Sequence, residues 1–294
     1  MFMDKGLFAR LAFWRAKQAG SALGVYVCAD KLWVYAPATE SLAEQWVSYE
    51  LQQDQWQQAF AKLANAFPHA SLQIVLGSGR YQLLVADKPN VDSDELAQAL
   101  LWSIKDMVNI PVPQIHLDYF ESPLPSNKLS VVVVDKEKLR AMVQAISDQG
   151  LSVLGISIEE LAMTNLFDED NQARLVVSHH TGQELLLTVV KQGQLYMQRR
   201  VRGFTELDKA EVDELNYGLA DNLSLEIQRS MDYFESQLRQ PPVASIELFA
   251  DGAVDALAKL VSANFNQAVN VVNKRAVGAS MAGLAFSELS RGAE

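Results

Sequence analysis

From Leu223 to Leu238 the apolar residues Leu223, Ile227, Met231, Phe234 and Leu238 return every three or four positions, which predicts a helix with one buried stripe. Asn222 stands where an N-cap is needed, and Pro241-Pro242 closes the run. Elsewhere the apolar residues fall in short runs. SALGVYVCAD, KLWVYAPA and EQWVSYEL, between residues 21 and 51, predict three strands, the first two as a hairpin. A helix follows from about Asp54 to Ala66, then a strand, SLQIVLGSG. A second segment opens at Arg80 with the strand YQLLVA. Asp92 then reads as an N-cap, with Glu95 three residues on, for a helix to about Met107. Strands IHLDYF and KLSVVVVD come next, and a helix from Lys136 is closed by Gly150.

The strand LSVLGIS and a helix from about Glu159 complete the first half, and the polar, acidic run from Asp168 to Asn171 marks a boundary. The second half opens as the first does. ARLVVSHHTGQELLLTVVKQGQLYMQRRV predicts hairpin strands with a turn at Gln192-Gly193. After the helix at 223–238 come a strand ASIELFA, a helix from about Val254, a strand AVNVV and a last helix from Met281 to Leu289. Two halves that each begin with a hairpin and mix strands with helices suggest a duplicated α/β architecture. The domains are expected at 21–167, with an inserted subdomain at 81–149, and at 172–294.

Residues 1–20 stand apart. Leu7, Leu11 and Trp14 share a helical face with Phe8 at its border, while Arg10 and Lys17 fall opposite, the pattern of a segment lying on a membrane surface. The same pattern suits a segment packed back on the protein. This tip carries a net charge of +3 in a chain of -11, which leaves -14 over the rest and argues against nucleic acid as a partner. Cys28 is the single cysteine, so no disulfide framework exists, and the four histidines have no metal-ligand spacing. No run of eighteen apolar residues occurs, and charge interrupts the apolar residues near the start, so neither a membrane span nor a signal peptide is expected. The expected location is cytoplasmic.

The helix word Glu226-Ile227-Gln228-Arg229-Ser230-Met231-Asp232-Tyr233-Phe234 resembles the EIQRSLDFF helix of the PilM family, actin-like proteins of type IV pilus assembly. Lys105 to Val112 and Leu117 to Phe120 look like that family's EAEQYIPF and LDYQ words. Gly150-Leu151 and Ile156 to Ala162 look like its return into the first domain, and Gly283-Leu284-Ala285 like its closing GLALR. The resemblance runs from about residue 22 to 290, and the acidic chain is most similar to the branch serving mannose-sensitive haemagglutinin (MSHA) pili. It implies an actin-like ATPase fold (ribonuclease H-like, duplicated) with a subdomain inserted in the first domain. It also implies a PilN-like inner-membrane partner, whose cytoplasmic tail lies in the groove between first domain and insertion, with the pilus motor ATPase as a further partner. Trp102, Ile104, Val108, Ile110 and Tyr119 are the candidates for that groove's wall, and ordinary subdomain core is their other reading.

The family's nucleotide motifs are eroded. Its first DIG word, whose Asp orders metal and water, falls on Tyr26, Val27 and Cys28, and its second falls on Ser178, His179 and His180, with Glu184 at the hydroxyl position. The GGGA turn behind the adenine reads Ala250-Asp251-Gly252-Ala253. Glycine and unopposed N–H groups are what admit an anion, and these substitutions remove both. The expectation is therefore a non-catalytic scaffold without cofactor. An ATP-binding switch or weak ATPase using Mg-ATP is the alternative, and a filament-forming relative a third. His179 and His180 are adjacent on a strand and point to opposite faces, so they do not share a metal. Cys28 reads as a small buried hydrophobe. Glu226 and Arg229 read as a helix-face pair, and Gln198 to Arg202 as a solvated strand end.

Overall fold

The computed structural model describes residues 20–40, 42–52, 55–167 and 171–291, and these form two compact units. Leu7, Phe8, Leu11 and Trp14 lie outside the described residues, as do 168–170 of the boundary run. The first unit runs to Ala162 and takes up the chain again at Met281, while the second is Met163–Ser280.

In the first unit β1 (Ala22–Val27) pairs antiparallel with β2 (Lys31–Ala36), and β2 with β3 (Gln45–Glu50). The helix α1 (Trp56–Ala66) leads into β4 (Ser71–Leu76), which lies parallel to β1. The chain then leaves this sheet for β5 (Gln82–Asp87), α2 (Ser93–Ile104), β6 (Ile115–Glu121) and β7 (Lys128–Asp135), a three-stranded antiparallel sheet in the order β5-β7-β6. Its return is through α3 (Lys136–Asp148), whose first turn is held by Asp135 accepting from the backbone N–H groups of Glu137 and Lys138. β8 (Ser152–Ile158) then completes a five-stranded sheet in the order β3-β2-β1-β4-β8, and α4 (Glu159–Ala162) ends this part of the chain.

The second unit repeats that order. β9 (Arg174–His179), β10 (Leu185–Lys191) and β11 (Gln194–Val201) form the antiparallel part, and β12 (Ser245–Ala250) and β13 (Ala268–Val271) add parallel strands, giving β11-β10-β9-β12-β13. α5 (Val212–Glu214) and α6 (Ala220–Asp232) stand between β11 and β12, and α7 (Val254–Ser262) between β12 and β13. The turn at Gln192-Gly193 takes positive φ at both residues, as a two-residue hairpin requires.

Two expectations are corrected. Asn222 does not cap a helix, because helical structure continues back to Val212 and is bent at Tyr217 and Gly218, where Gly218 takes φ 110°. The second domain also does not keep the chain to its end. The last helix, α8 (Val277–Arg291), begins in the second unit, but from Met281 its residues pack in the first. A Cβ on Gly24 of β1 would lie 2.0 Å from the Ala282 carbonyl oxygen, so only glycine lets the helix backbone come this close. Phe286 meets the Tyr35 ring edge-on, and Gln73 donates to Glu288 at 2.8 Å. None of these contacts is local in sequence, which is why the periodicity of α8 alone does not reveal its partner.

Candidate functional site

Parallel strands in an α/β sheet present their C-terminal ends to ligands, so the ends of β1, β4 and β8 and of β9 and β12 are the places to look. In the first unit Tyr26 fills this position. Its side chain is wholly buried and its hydroxyl donates to Glu159, whose same carboxylate oxygen accepts from the Ser78 backbone N–H at 3.1 Å. Burial first, and then the Glu159 charge, push the Tyr26 hydroxyl well above its ordinary value, so it remains a neutral donor. The neighbouring Glu160 is buried too and accepts from the Tyr81 hydroxyl.

Gly77 closes the same place from β4: a Cβ there would meet the Tyr26 hydroxyl and the Val27 carbonyl oxygen, each at 2.9 Å. Arg80 does not face open space, since its Nε donates to the Cys28 carbonyl at 2.8 Å and its guanidinium stacks 4.7 Å from the Trp56 ring centroid. Cys28 is buried, and burial pushes its thiol up to about 12, so it is no nucleophile at neutral pH.

In the second unit the register puts Ser178 opposite Phe249 of β12 as Tyr26 stands opposite Val75 of β4, so Ser178 is the counterpart of Tyr26 and His179 of Val27. Ser178 and His179 are buried, and His180 begins the turn that carries Gly182 at φ 71°. Neither ring nitrogen of His179 reaches a partner at hydrogen-bonding geometry. Burial holds His179 below its ordinary value, against the opposing pull of Asp208 and of the backbone at Thr205. Asp251 accepts from the Val277 N–H at 3.0 Å and so caps α8, and burial lifts its carboxyl above the usual range. Gly252 keeps its glycine for a different reason than an anion: at φ 86°, a Cβ would lie 2.4 Å from the Asp208 carbonyl oxygen. Glu184 is engaged by Arg202 at 3.1 Å. Among the described residues no cluster of three or more His, Cys, Asp or Glu is placed to hold a metal.

On α6, Glu226 accepts from Arg229, as its spacing suggests, and also from Arg199 of β11 at 2.5 Å. Arg199, expected at a solvated strand end, is instead paired with Glu226. The strand-to-helix contact that pairs them is a tertiary fact.

The groove candidates are placed differently from expectation. The inserted sheet has two faces, and Ile104, Val108, Ile110 and Tyr119 all pack on the α2 side with Leu100, Val131 and Val133. Ile104 is 0% exposed and has no surface to offer, whereas Trp102 is 60% exposed on the outside of α2, beneath Lys105. The opposite face is the one that meets the first unit's core, through Tyr81, Val132 and Val134. Leu83 and Phe120 of this face are half-buried and pack against the same core, while Val85, in register with Ser130, is 50% exposed. The residues of the insertion that face the first sheet's core are therefore Tyr81, Leu83, Phe120, Val132 and Val134, and not the candidates read from the sequence. The sequence of β5 offers no signal here, because Leu83 to Ala86 is an unbroken apolar run without the alternation that would tell which face of the sheet α2 covers.

No protein-family model matches the chain, and no curated protein matches it in sequence. Solved structures match it in shape. A PilM-PilN type IV pilus biogenesis complex is similar at TM-score 0.66 and 17% identity, over 93% of this chain and 99% of that one. The cytoplasmic domain of EpsL, an inner-membrane component of the type II secretion system of Vibrio cholerae, is similar at TM-score 0.54 and 14% identity, over 91% and 95%. A Bacteroides thetaiotaomicron protein of unknown function with an actin-like ATPase fold is similar at 0.52 and 11% identity, over 90% and 95%. The chain has the actin-like ATPase fold, an α/β architecture, in a PilM-like form.

Proposed function

We infer that this protein is a non-catalytic scaffold of a pilus assembly platform at the inner membrane, of the MSHA type, and that it holds the cytoplasmic tail of a PilN-like membrane protein. The observation that carries the reading is the Tyr26–Glu159 pair. A nucleotide of the kind this fold accommodates needs backbone N–H groups free to meet phosphate and a carboxylate free to order its metal. Here the Glu159 carboxylate, just past the end of β8, accepts from a tyrosine and from the Ser78 N–H, and an aromatic ring occupies the space. In the second unit Gly252 is backed by Asp208, and Asp251 adds a further carboxyl. These residues do not fit a triphosphate.

The PilN-like partner is supported by the complex that this fold resembles. Among the described residues no helix is long and apolar enough to cross a membrane. Attachment to the inner membrane then falls to the partner, with reversible help from the basic, apolar tip at residues 1–20.

Titration calorimetry with Mg-ATP tests the scaffold reading. No saturable heat is expected, and a dissociation constant below about 1 mM, equivalent to roughly -4 kcal/mol, would return the function to the ATP-switch alternative. Flotation with anionic vesicles tests the tip: deleting residues 1–18 is expected to weaken it, and unchanged flotation would remove membrane contact from the proposal.

A further inference from the structure

Among the described residues the buried carboxylates are satisfied: Glu159 and Glu160 accept from tyrosines, and Glu247 of β12 accepts from Arg174 at 2.7 Å. His179 is the contrast. It is 0% exposed at the end of β9 with neither ring nitrogen bonded, and Oδ1 of the neighbouring Asp208 is also buried without a partner. Such a group is an exception in folded proteins, held in place by its surroundings rather than by its own bonds. Those surroundings are residues 203–210, which follow β11 from Gly203, at φ 94°, and lie across the ends of β9 and β12. Phe204, Leu207 and Ala210 anchor this stretch in the second unit's core. Its turns, closed by the Leu207 N–H on Phe204 and the Lys209 N–H on Glu206, are internal to it. It meets β12 through its backbone, where the Asp208 carbonyl backs Gly252.

We propose that residues 203–210 are a proton-operated strap: it lies closed over the ends of β9 and β12 while His179 is neutral, and it opens when the ring takes up a second proton from solvent. An imidazolium donates from both nitrogens, and in the closed site neither reaches an acceptor. Opening gives both of them water. The groups that face the ring are Asp208 and the Thr205 backbone of the strap, His180 and the Gln183 backbone of the turn after β9, and Asp251 of the turn after β12. Asp208 and Asp251 favour the charged ring and His180 opposes it, but burial outweighs them and holds the closed form below the ordinary 6.5. In the open form the ring is in water and binds its proton at that ordinary value, so acidification below 6.5 favours opening. The strap also backs the turn whose Asp251 caps α8, and its opening therefore reaches the Val277 N–H. No partner or nucleotide enters this inference, which stands apart from the scaffold reading.

Hydrogen–deuterium exchange of the full chain between about pH 7.5 and about pH 5.5, corrected for the intrinsic rate of each amide, is the test. Exchange at Leu207, Lys209 and Ala210 is expected to rise several-fold on acidification, while amides of β12 and α6 keep their rates. The rise is limited to about tenfold, because the lower pH lies about one unit below the free imidazole value of 6.5. In histidine-labelled NMR spectra the His179 ring is expected to titrate below 6.5, in step with that rise. His179→Gln, which cannot titrate, is expected to abolish the response, and His180→Gln to keep it. An unchanged rise in His179→Gln, or its loss in His180→Gln, assigns the proton elsewhere and overturns the proposal. Slower exchange of the strap at low pH means that the charged ring pairs with Asp208 instead. An equal rise throughout β12 and α6 means general acid destabilisation. Either of these results overturns the strap.

Discussion

The two units carry the same strand order, and Tyr26 and Ser178 occupy the same place in it, but the two strand-end sites are closed by opposite means. In the first, a large side chain fills the space and its one polar atom is bonded to a carboxylate that accepts a second donor. In the second, the side chain at the matched place is small, and the next residue, His179, is buried with neither ring nitrogen bonded. A filled and satisfied site is rigid, while a buried polar group without partners destabilises and responds to protonation. The same place in a repeated sheet can thus carry stability in one copy and a liability in the other.

The largest test of this comparison uses the position where the two sheets differ most in their cover. Gly24 of β1 lies beneath α8, and its counterpart in β9 is the buried Val176. Gly24→Ala puts a methyl 2.0 Å from the Ala282 carbonyl oxygen and 2.6 Å from the Phe286 nitrogen, both backbone, so the helix must shift. The expected loss is about 3 kcal/mol in denaturant unfolding. A loss below about 1 kcal/mol would mean that the end of α8 is not bound to this sheet as described.

A smaller effect separates the two sites themselves. Tyr26→Phe keeps the ring but removes the donor to Glu159, leaving a buried carboxylate with less satisfaction, and about 2 kcal/mol of stability is expected to go with it. Ser178→Ala is expected to stay within about 1 kcal/mol of the wild type. Equal losses at the two positions would contradict the difference drawn between them.

The smallest effect is in pH dependence. Because His179 is held below its ordinary value of 6.5, the unfolded chain takes up this proton first, and stability falls as pH drops below that value. Asp251 has the opposite sign: its raised carboxyl favours the protonated fold, and that contribution is lost as pH rises from 3.8 through its folded value. Thermal melts across pH 5 to 7 are expected to show a shallower acid loss for His179→Gln than for the wild type. Parallel curves would place the titration elsewhere.

Much of the fold is legible along the chain, because a strand or an amphipathic helix imposes its period on its own residues. The alternation or apolar runs of β1, β4, β9 and β12 and the stripe Leu223, Ile227, Met231 need no knowledge of a neighbour, and the hairpin openings carry the duplication. The departures of Tyr26, Ser178 and Glu184 from the motifs of the family that the chain resembles are likewise visible in the sequence, since carboxylate, glycine and tyrosine are chemically distinct. What tertiary structure alone decided is which surfaces meet. It set α2 on one face of β5-β7-β6, with Ile104 and Tyr119, and turned Leu83 and Phe120 towards the core of the first sheet. It gave Tyr26 its partner 133 residues away, and it drew the end of α8 onto Gly24 of the first sheet. Periodicity is a local constraint of the backbone, whereas the choice among apolar faces is made by packing between residues far apart in the chain, and one sequence carries no signal of that distance.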